Sequence, residues 1–393
     1  MRPLEGLTVV TLEHAIAAPF ATRQLADLGA RVIKIERPGV GDFARGYDER
    51  VRGMASHFVW TNLSKESLTL DVKHPEAQTI LRRLIMEQAD VVVQNLAPGA
   101  AARLGLSYEV LAKEKPELIV CDISGYGSDG PYRDKKAYDL LIQSEAGFVS
   151  VTGSPDEPAK AGPSIADISA GMYAYTNILA ALLQRAKTGR GQHIDISMLE
   201  SLVEWTSYPL YYAFDGAPPP PRTGASHATI YPYGPFPAGD SKTVMLGLQN
   251  EREWALFCSK VLRMPELAAD PRFAGNSKRS AARDALRALI VSVFSTLTAA
   301  EVVARLDEAQ IANANVNTMD EVWAHPQLKA RGRWTEVDSP VGAIPALLPP
   351  GSWEEGTPRM DAVPALGQHT DAILAELGYA PERIAALRGE EAI

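Results

Sequence analysis

Between Leu7 and Ile196 short apolar runs alternate with stretches of helical periodicity, and this alternation restricts the chain to a few architectures. Leu7–Leu12 (LTVVTL), Arg31–Glu36 (RVIKIE), Asp90–Leu96 (DVVVQNL), Glu117–Ile123 (ELIVCDI) and His193–Ile196 (HIDI) read as strands. Helical stretches separate them. One covers Phe20–Leu28 and stops at Gly29, one opens at Pro75 and runs to about Gln88, and a shorter one lies near Tyr108–Lys115. A long helix is expected from about Ile168 to Ala186, closing at Thr188-Gly189-Arg190-Gly191. Strands joined by helical crossovers predict a doubly wound, Rossmann-like parallel α/β sheet. Such sheets bind ligands in the loops at the carboxyl ends of their strands, here His14–Pro19 and Ser124–Lys136 among others.

The remainder reads as a smaller inserted α+β domain. Pro218–Pro221 is a stiff break that suits a linker, and a strand at Thr243–Leu248 follows. Helical patterns come next, near Glu251–Leu262, Ser280–Ser295 and Ala299–Glu308. A second Pro-rich stretch, Pro340–Pro350, is expected to return the chain to the large domain, where a helix at about Thr370–Leu377 ends it. The expected domains are residues 1–215, 216–330 and a return segment 331–393 that completes the first.

Several function classes fall away. A formal charge of −9 disfavours nucleic acid as a partner, because a phosphate backbone calls for a basic surface. Cys121 and Cys258 lie far apart in apolar settings, as expected of two reduced buried thiols, and no Cys/His spacing suggests a metal. The N-terminus lacks the apolar core of a signal peptide and no segment is apolar for long enough to span a bilayer, so a cytoplasmic soluble protein is expected. The turn after the first strand, His14-Ala15-Ile16-Ala17-Ala18-Pro19, has no glycine and so is not a GxGxxG dinucleotide turn. The GxSxG elbow and the P-loop are missing as well.

Several separated pieces together resemble the class III CoA-transferases, the CaiB/BaiF family. They include Gly29-Ala30-Arg31-Val32-Ile33-Lys34-Ile35-Glu36-Arg37-Pro38-Gly39 closing with Gly41-Asp42, and Asn62-Leu63-Ser64-Lys65 with Leu70-Asp71. Asn95 followed by Pro98-Gly99 and Arg103-Leu104-Gly105, then Ser124-Gly125-Tyr126-Gly127, continue the series. Tyr138-Asp139-Leu140-Leu141-Ile142-Gln143 and Lys187-Thr188-Gly189-Arg190-Gly191-Gln192 complete it, in order, along essentially the whole chain.

The resemblance implies an aspartate nucleophile between a Gly/Pro-rich loop and a helix, a position that Asp167 fits in Gly162-Pro163-Ser164-Ile165-Ala166-Asp167-Ile168-Ser169-Ala170-Gly171. An aspartate just before a helix meets backbone N–H groups and the positive end of the helix dipole, which favour its ionised form. Locally, an ordinary helix-capping aspartate would look the same. Ala170 and Gly171 are expected to leave room for a bulky acyl-CoA. The resemblance further implies that Arg37, Arg103 and Lys136 meet CoA phosphates, that Asn95 and Leu70 contact the nucleotide, and that Ala15 lies near the thiol end. Asp139 and Gln143 either support the active-site loops or simply stabilise them. CoA thioesters enter as substrates, with no tightly bound cofactor, and the family folds as an interlocked homodimer.

Related α-methylacyl-CoA racemases keep the fold but need a histidine before an aspartate where this chain has Tyr138-Asp139. A phenol with an ordinary pKa of about 10 is a poor base near neutrality. A non-catalytic acyl-CoA-binding protein would have lost Asp167. The segment from Arg222 to Gly234 lacks the glycine run of the formyl-CoA branch and resembles transferases that use succinyl-CoA with itaconate, mesaconate or malate-like acids. Tyr138, Arg222 and His227 are therefore candidate contacts to the acid, with Arg222 and His227 either clamping a far carboxylate or bracing the linker.

Overall fold

A computed structural model of the chain describes residues 1–352, 354 and 356–393. It divides into two compact units: residues 1–147 with 161–207 and 328–393, and residues 148–160 with 208–327.

The first unit is built on six parallel strands: β1 (Thr8–Leu12), β2 (Arg31–Glu36), β3 (Lys65–Thr69), β4 (Val91–Gln94), β5 (Ile119–Ser124) and β6 (His193–Ser197). Their order is β3-β2-β1-β4-β5-β6, with Val9 paired to Val32 on one side and to Val91 on the other. This is the doubly wound sheet expected, and its order reverses between β1 and β4, where loops part to leave a crevice. The helix Pro75–Gln88 covers one face, its Ile80, Leu84 and Ile85 meeting Val10, Ile33, Val92 and Val120. Helix α1 (Ala17–Asp27) packs against a 24-residue helix, Ile165–Thr188. Their approach is close because residue 171 is glycine: a Cβ there would lie 2.7 Å from the Ala17 carbonyl oxygen. Gly171 thus seats α1, and is not the opening for acyl-CoA that the sequence suggested.

Strand β3 (KESLT) has no counterpart among the expected strands, because its alternating polar residues hide the pattern. Lys65 and Ser67 are nevertheless buried, each with a charged or polar partner. The stretch read as a second linker lies within the first unit, where Trp334–Val337 and Ile344–Leu347 pair as an antiparallel hairpin around Val337, Ile344 and Val363. Beyond Thr370–Glu376 a further helix, Pro381–Gly389, closes the chain.

The second unit has the antiparallel sheet Tyr233–Pro237, Thr243–Gly247 and Ala312–Asn315. Helices Arg283–Phe294 and Ala299–Glu308 bury Leu286, Ile290, Val302 and Leu306 with Trp254, Phe257 and Phe273. Thr298 and Glu301 form a reciprocal cap at the start of the second helix. The unit begins near Tyr208, ahead of the prolines, and takes in residues 148–160, whose carbonyls accept hydrogen bonds from Arg222 and Gly224. Among the described residues no single helix is long and apolar enough to cross a membrane.

Candidate active site

Label the helices beside the site α2 (Asp139–Glu145) and α3 (Ile165–Thr188). Helix α3 starts three residues earlier than its sequence suggested, so Asp167 occupies its first turn instead of preceding it. Ser164, the residue before the helix, makes no side-chain cap. Asp139 does that work from α2: Oδ1 accepts the N–H groups of Ala166 (2.8 Å) and Asp167 (3.4 Å). Its Oδ2 accepts from Gln143 Nε2 at 2.6 Å, and Gln143 Oε1 accepts the Ala161 N–H at 2.9 Å.

Asp139 has therefore taken the helix donors expected to stabilise Asp167. The Asp167 carboxylate is half-buried, and among the described residues it has no hydrogen-bond partner. Burial, reinforced by the Asp139 charge, pushes its pKa up from 3.8 to about 7. The expectation of a carboxylate held ionised by the helix is thereby reversed. Asp167 lies one turn before Gly171 on the same helix face, which turns it toward the start of α1.

The loop ahead of α1 is gripped from two sides. Asn95, just past β4, accepts the His14 N–H through Oδ1 and donates through Nδ2 to the His14 carbonyl, both at 2.9 Å. The next residue, Ala15, has φ +62°, and its N–H is bound by Asp42 Oδ1 at 3.1 Å. The His14 ring stacks on Phe43 at 5.1 Å, and Phe43 adjoins Tyr47 at 5.9 Å. Burial and the neighbouring Asp42, Asp167 and Tyr138 push the Tyr47 hydroxyl up to about 12.

A cleft open to solvent runs along the carboxyl ends of β1 to β4. Leu12, Ile35, Leu70 and Leu96 form its apolar wall, and Arg37 and Lys73 supply cations. Apolar walls with two cations fit a nucleotide's base and phosphates.

Of the residues singled out in the sequence, Arg37 and Leu70 line this cleft, as does His14, whose backbone Asn95 holds; Ala15 follows in that loop. Arg103 and Lys136 are exposed in the same unit but outside the cleft lining, with no ion pair among the described residues. Tyr138 precedes α2 and is 69% exposed. In the second unit, the Arg222 guanidinium donates to the carbonyls of Ser150, Ser154 and Pro155. His227 Nδ1 accepts from the N–H groups of Thr229 and Ile230, and its ring stacks on Tyr233 at 5.2 Å. Sequence reasoning missed Tyr47 and Lys73. Lys73 sits two residues past Leu70-Asp71, so the loop after β3 would have suggested it once that strand was recognised.

Residues 4–370 match the family described as CoA-transferase family III. The chain is 34% identical over 386 residues to the succinate–glutarate CoA-transferase of Agrobacterium fabrum, covering 95% of this chain and 96% of that one. It is 34% identical over 353 residues to a succinyl-CoA:mesaconate CoA-transferase of Haloarcula hispanica, covering 86% and 87%. A CaiB/BaiF family protein from Brucella suis has a similar structure, with a TM-score of 0.84, 37% identity and coverage of 96% and 99%. With a doubly wound sheet, a cleft at its switch point and a whole-length match, the chain belongs to CoA-transferase family III.

Proposed function

We propose that the enzyme moves CoA from succinyl-CoA to a four- or five-carbon dicarboxylate through covalent intermediates on Asp167. The observation that carries the mechanism is a half-buried carboxylate at the start of α3, left without donors because Asp139 caps the helix. A carboxylate with free lone pairs and raised basicity is a stronger nucleophile than a hydrogen-bonded one.

Asp167 attacks the donor thioester carbonyl; the C–S bond breaks and CoA leaves as thiolate, giving a mixed anhydride. The thiolate then attacks the aspartyl carbonyl, expelling the donor acid as carboxylate and leaving an aspartyl-CoA thioester. The acceptor carboxylate attacks that thioester, again releasing thiolate and forming a second anhydride. Capture of the acceptor acyl group by the thiolate frees the Asp167 carboxylate, and no proton is gained or lost overall. Water would hydrolyse either type of intermediate, so the burial around Asp167 also protects the reaction.

CoA is seated by Arg37, Leu70, Asn95, Arg103, Lys136 and the Ala15 loop, joined by Lys73. The named activities of the relatives support the acid pair: one acts on succinate and glutarate, the other on succinyl-CoA and mesaconate. Tyr138, Arg222 and His227 are proposed to contact the acids. Three of the five Arg222 N–H groups are used by backbone carbonyls, leaving two for a carboxylate. Self-association into a homodimer is part of the proposal, supported by the exposed Tyr208, Leu210, Tyr211 and Phe214; sedimentation at the 42.5 kDa chain mass would contradict it.

The test is initial-rate transfer from succinyl-CoA to glutarate, mesaconate, citramalate, itaconate and malate, against acetate and oxalate. At least one C4–C5 dicarboxylate should exceed acetate and oxalate tenfold in kcat/KM. Preference for acetate or oxalate would overturn the substrate assignment while leaving the mechanism in place.

A further inference from the structure

The segments that mark the family contain charged residues for which the chemistry at Asp167 has no use: Lys34, Glu36 and Asp42 in one, and Lys65 in the next. The fold gathers them, with Glu13 and Arg45, into one cluster at the back of the His14–Ile16 loop. Lys34 Nζ lies 2.7 Å from Asp42 Oδ2 and 3.4 Å from Glu13 Oε1. Lys65 Nζ lies 2.6 Å from the same Glu13 oxygen and donates to the Pro19 carbonyl in α1 at 2.9 Å. Glu36 takes two bonds from Arg45 and accepts the Asp42 N–H at 2.9 Å. Three carboxylates thus face three cations, and all but Arg45 are fully enclosed.

Buried ion pairs of this kind give little stability over well-packed apolar side chains, so stability does not explain the cluster. Its geometry does. Ala15 holds φ +62°, a conformation that costs an L-residue free energy and persists only where neighbours enforce it. Asp42 enforces it: Oδ2 is fixed by Lys34, while Oδ1 holds the N–H groups of Ala15 and Ala44.

We propose that Asp42, its buried charge balanced by Lys34, is a positioning device that locks the left-handed turn at Ala15 by accepting its N–H and so fixes the start of α1 opposite the Asp167 carboxylate. Neither residue is part of the bond-making chemistry. If Ala15 is released, its φ returns to negative values, the His14–Ile16 peptide units rotate, and the end of α1 facing Asp167 shifts.

The test compares two double variants that bury no unpaired charge, Lys34→Met/Asp42→Asn and Lys34→Met/Asp42→Leu. The first keeps an oxygen that can accept the Ala15 N–H; the second does not. At saturating succinyl-CoA the asparagine variant should have a kcat at least tenfold above the leucine variant, with melting temperatures alike. Adding Ala15→Gly to the leucine variant should recover part of the loss, since glycine adopts the turn without strain. If leucine prevents folding, alanine at 42 replaces it in the same comparison. Equal kcat in the two variants, a kcat gap matched by lost secondary structure, or no recovery with glycine would overturn the proposal. Because net transfer is measured, the comparison holds whichever residue carries the acyl group.

Discussion

Asparagine in place of Asp139 removes the negative charge beside Asp167 and keeps an oxygen to cap helix α3. Asp139 Oδ1 lies 3.4 Å from the Asp167 amide nitrogen. Like charges roughly 6 Å apart at an effective dielectric of about 20 repel by about 3 kcal/mol, an upper limit of about two pH units. Burial is the larger cause of the rise from 3.8 to about 7, so Asp139 accounts for less than half of it. That leaves a share of about one pH unit. Without Asp139, Asp167 should titrate near pH 6 instead of near 7. At pH 6 its ionised fraction would then grow from about one tenth to about one half, roughly fivefold. Rapid-quench measurement of acyl-enzyme formation from pH 5 to 9 reads this directly. The acid limb should move down by about one pH unit, while the plateau above pH 8 stays level or falls because the nucleophile is less basic. A limb that stays in place, or moves up, would refute the electrostatic role given to Asp139.

Asp167→Asn should stabilise the protein at pH 8. The raised folded-state value means that ionisation costs stability; the cost is absent below about pH 4, grows as pH rises to about 7 and is complete above that. Its limit is about 4 kcal/mol, so the variant should melt above the wild type at pH 8, with the gain vanishing by pH 4; a gain independent of pH would contradict the account. Gly171→Ala forces a Cβ to within 2.7 Å of the Ala17 carbonyl and should destabilise by about 1–3 kcal/mol in thermal melts, lowering kcat as well. An unchanged melt would mean that α1 and α3 can separate freely. Arg37→Ala removes an exposed cation from the cleft and should raise the succinyl-CoA KM about tenfold, with weaker dependence on salt and little change in kcat. A change confined to kcat would place the phosphates elsewhere.

Most of the sheet was legible because its central strands are runs of Val, Ile and Leu flanked by helix-length crossovers, and β2 and the helix Pro75–Gln88 matched their expected limits. Strand β3 was hidden because Lys65 and Ser67 alternate with apolar residues, and their burial depends on Glu13 and Glu36 from distant parts of the chain. The motif marks Asp167 as a nucleophile candidate, yet its local sequence points to a carboxylate held ionised, whereas burial and Asp139 raise its pKa. The helix donors go to Asp139, 28 residues earlier, and no local pattern shows that a second carboxylate reaches them first. Lys34, Asp42 and Lys65 are plain motif residues in the sequence, and only the fold shows that they form one buried cluster behind the His14–Ile16 loop.

The central claim is that Asp167 becomes acylated. The most direct test is mass spectrometry of the enzyme after brief incubation with succinyl-CoA and hydroxylamine, followed by peptide mapping. A hydroxamate at Asp167, missing in Asp167→Ala, is the result expected. A protein that turns over succinyl-CoA with no adduct at Asp167, or with one at another carboxylate, would contradict the account.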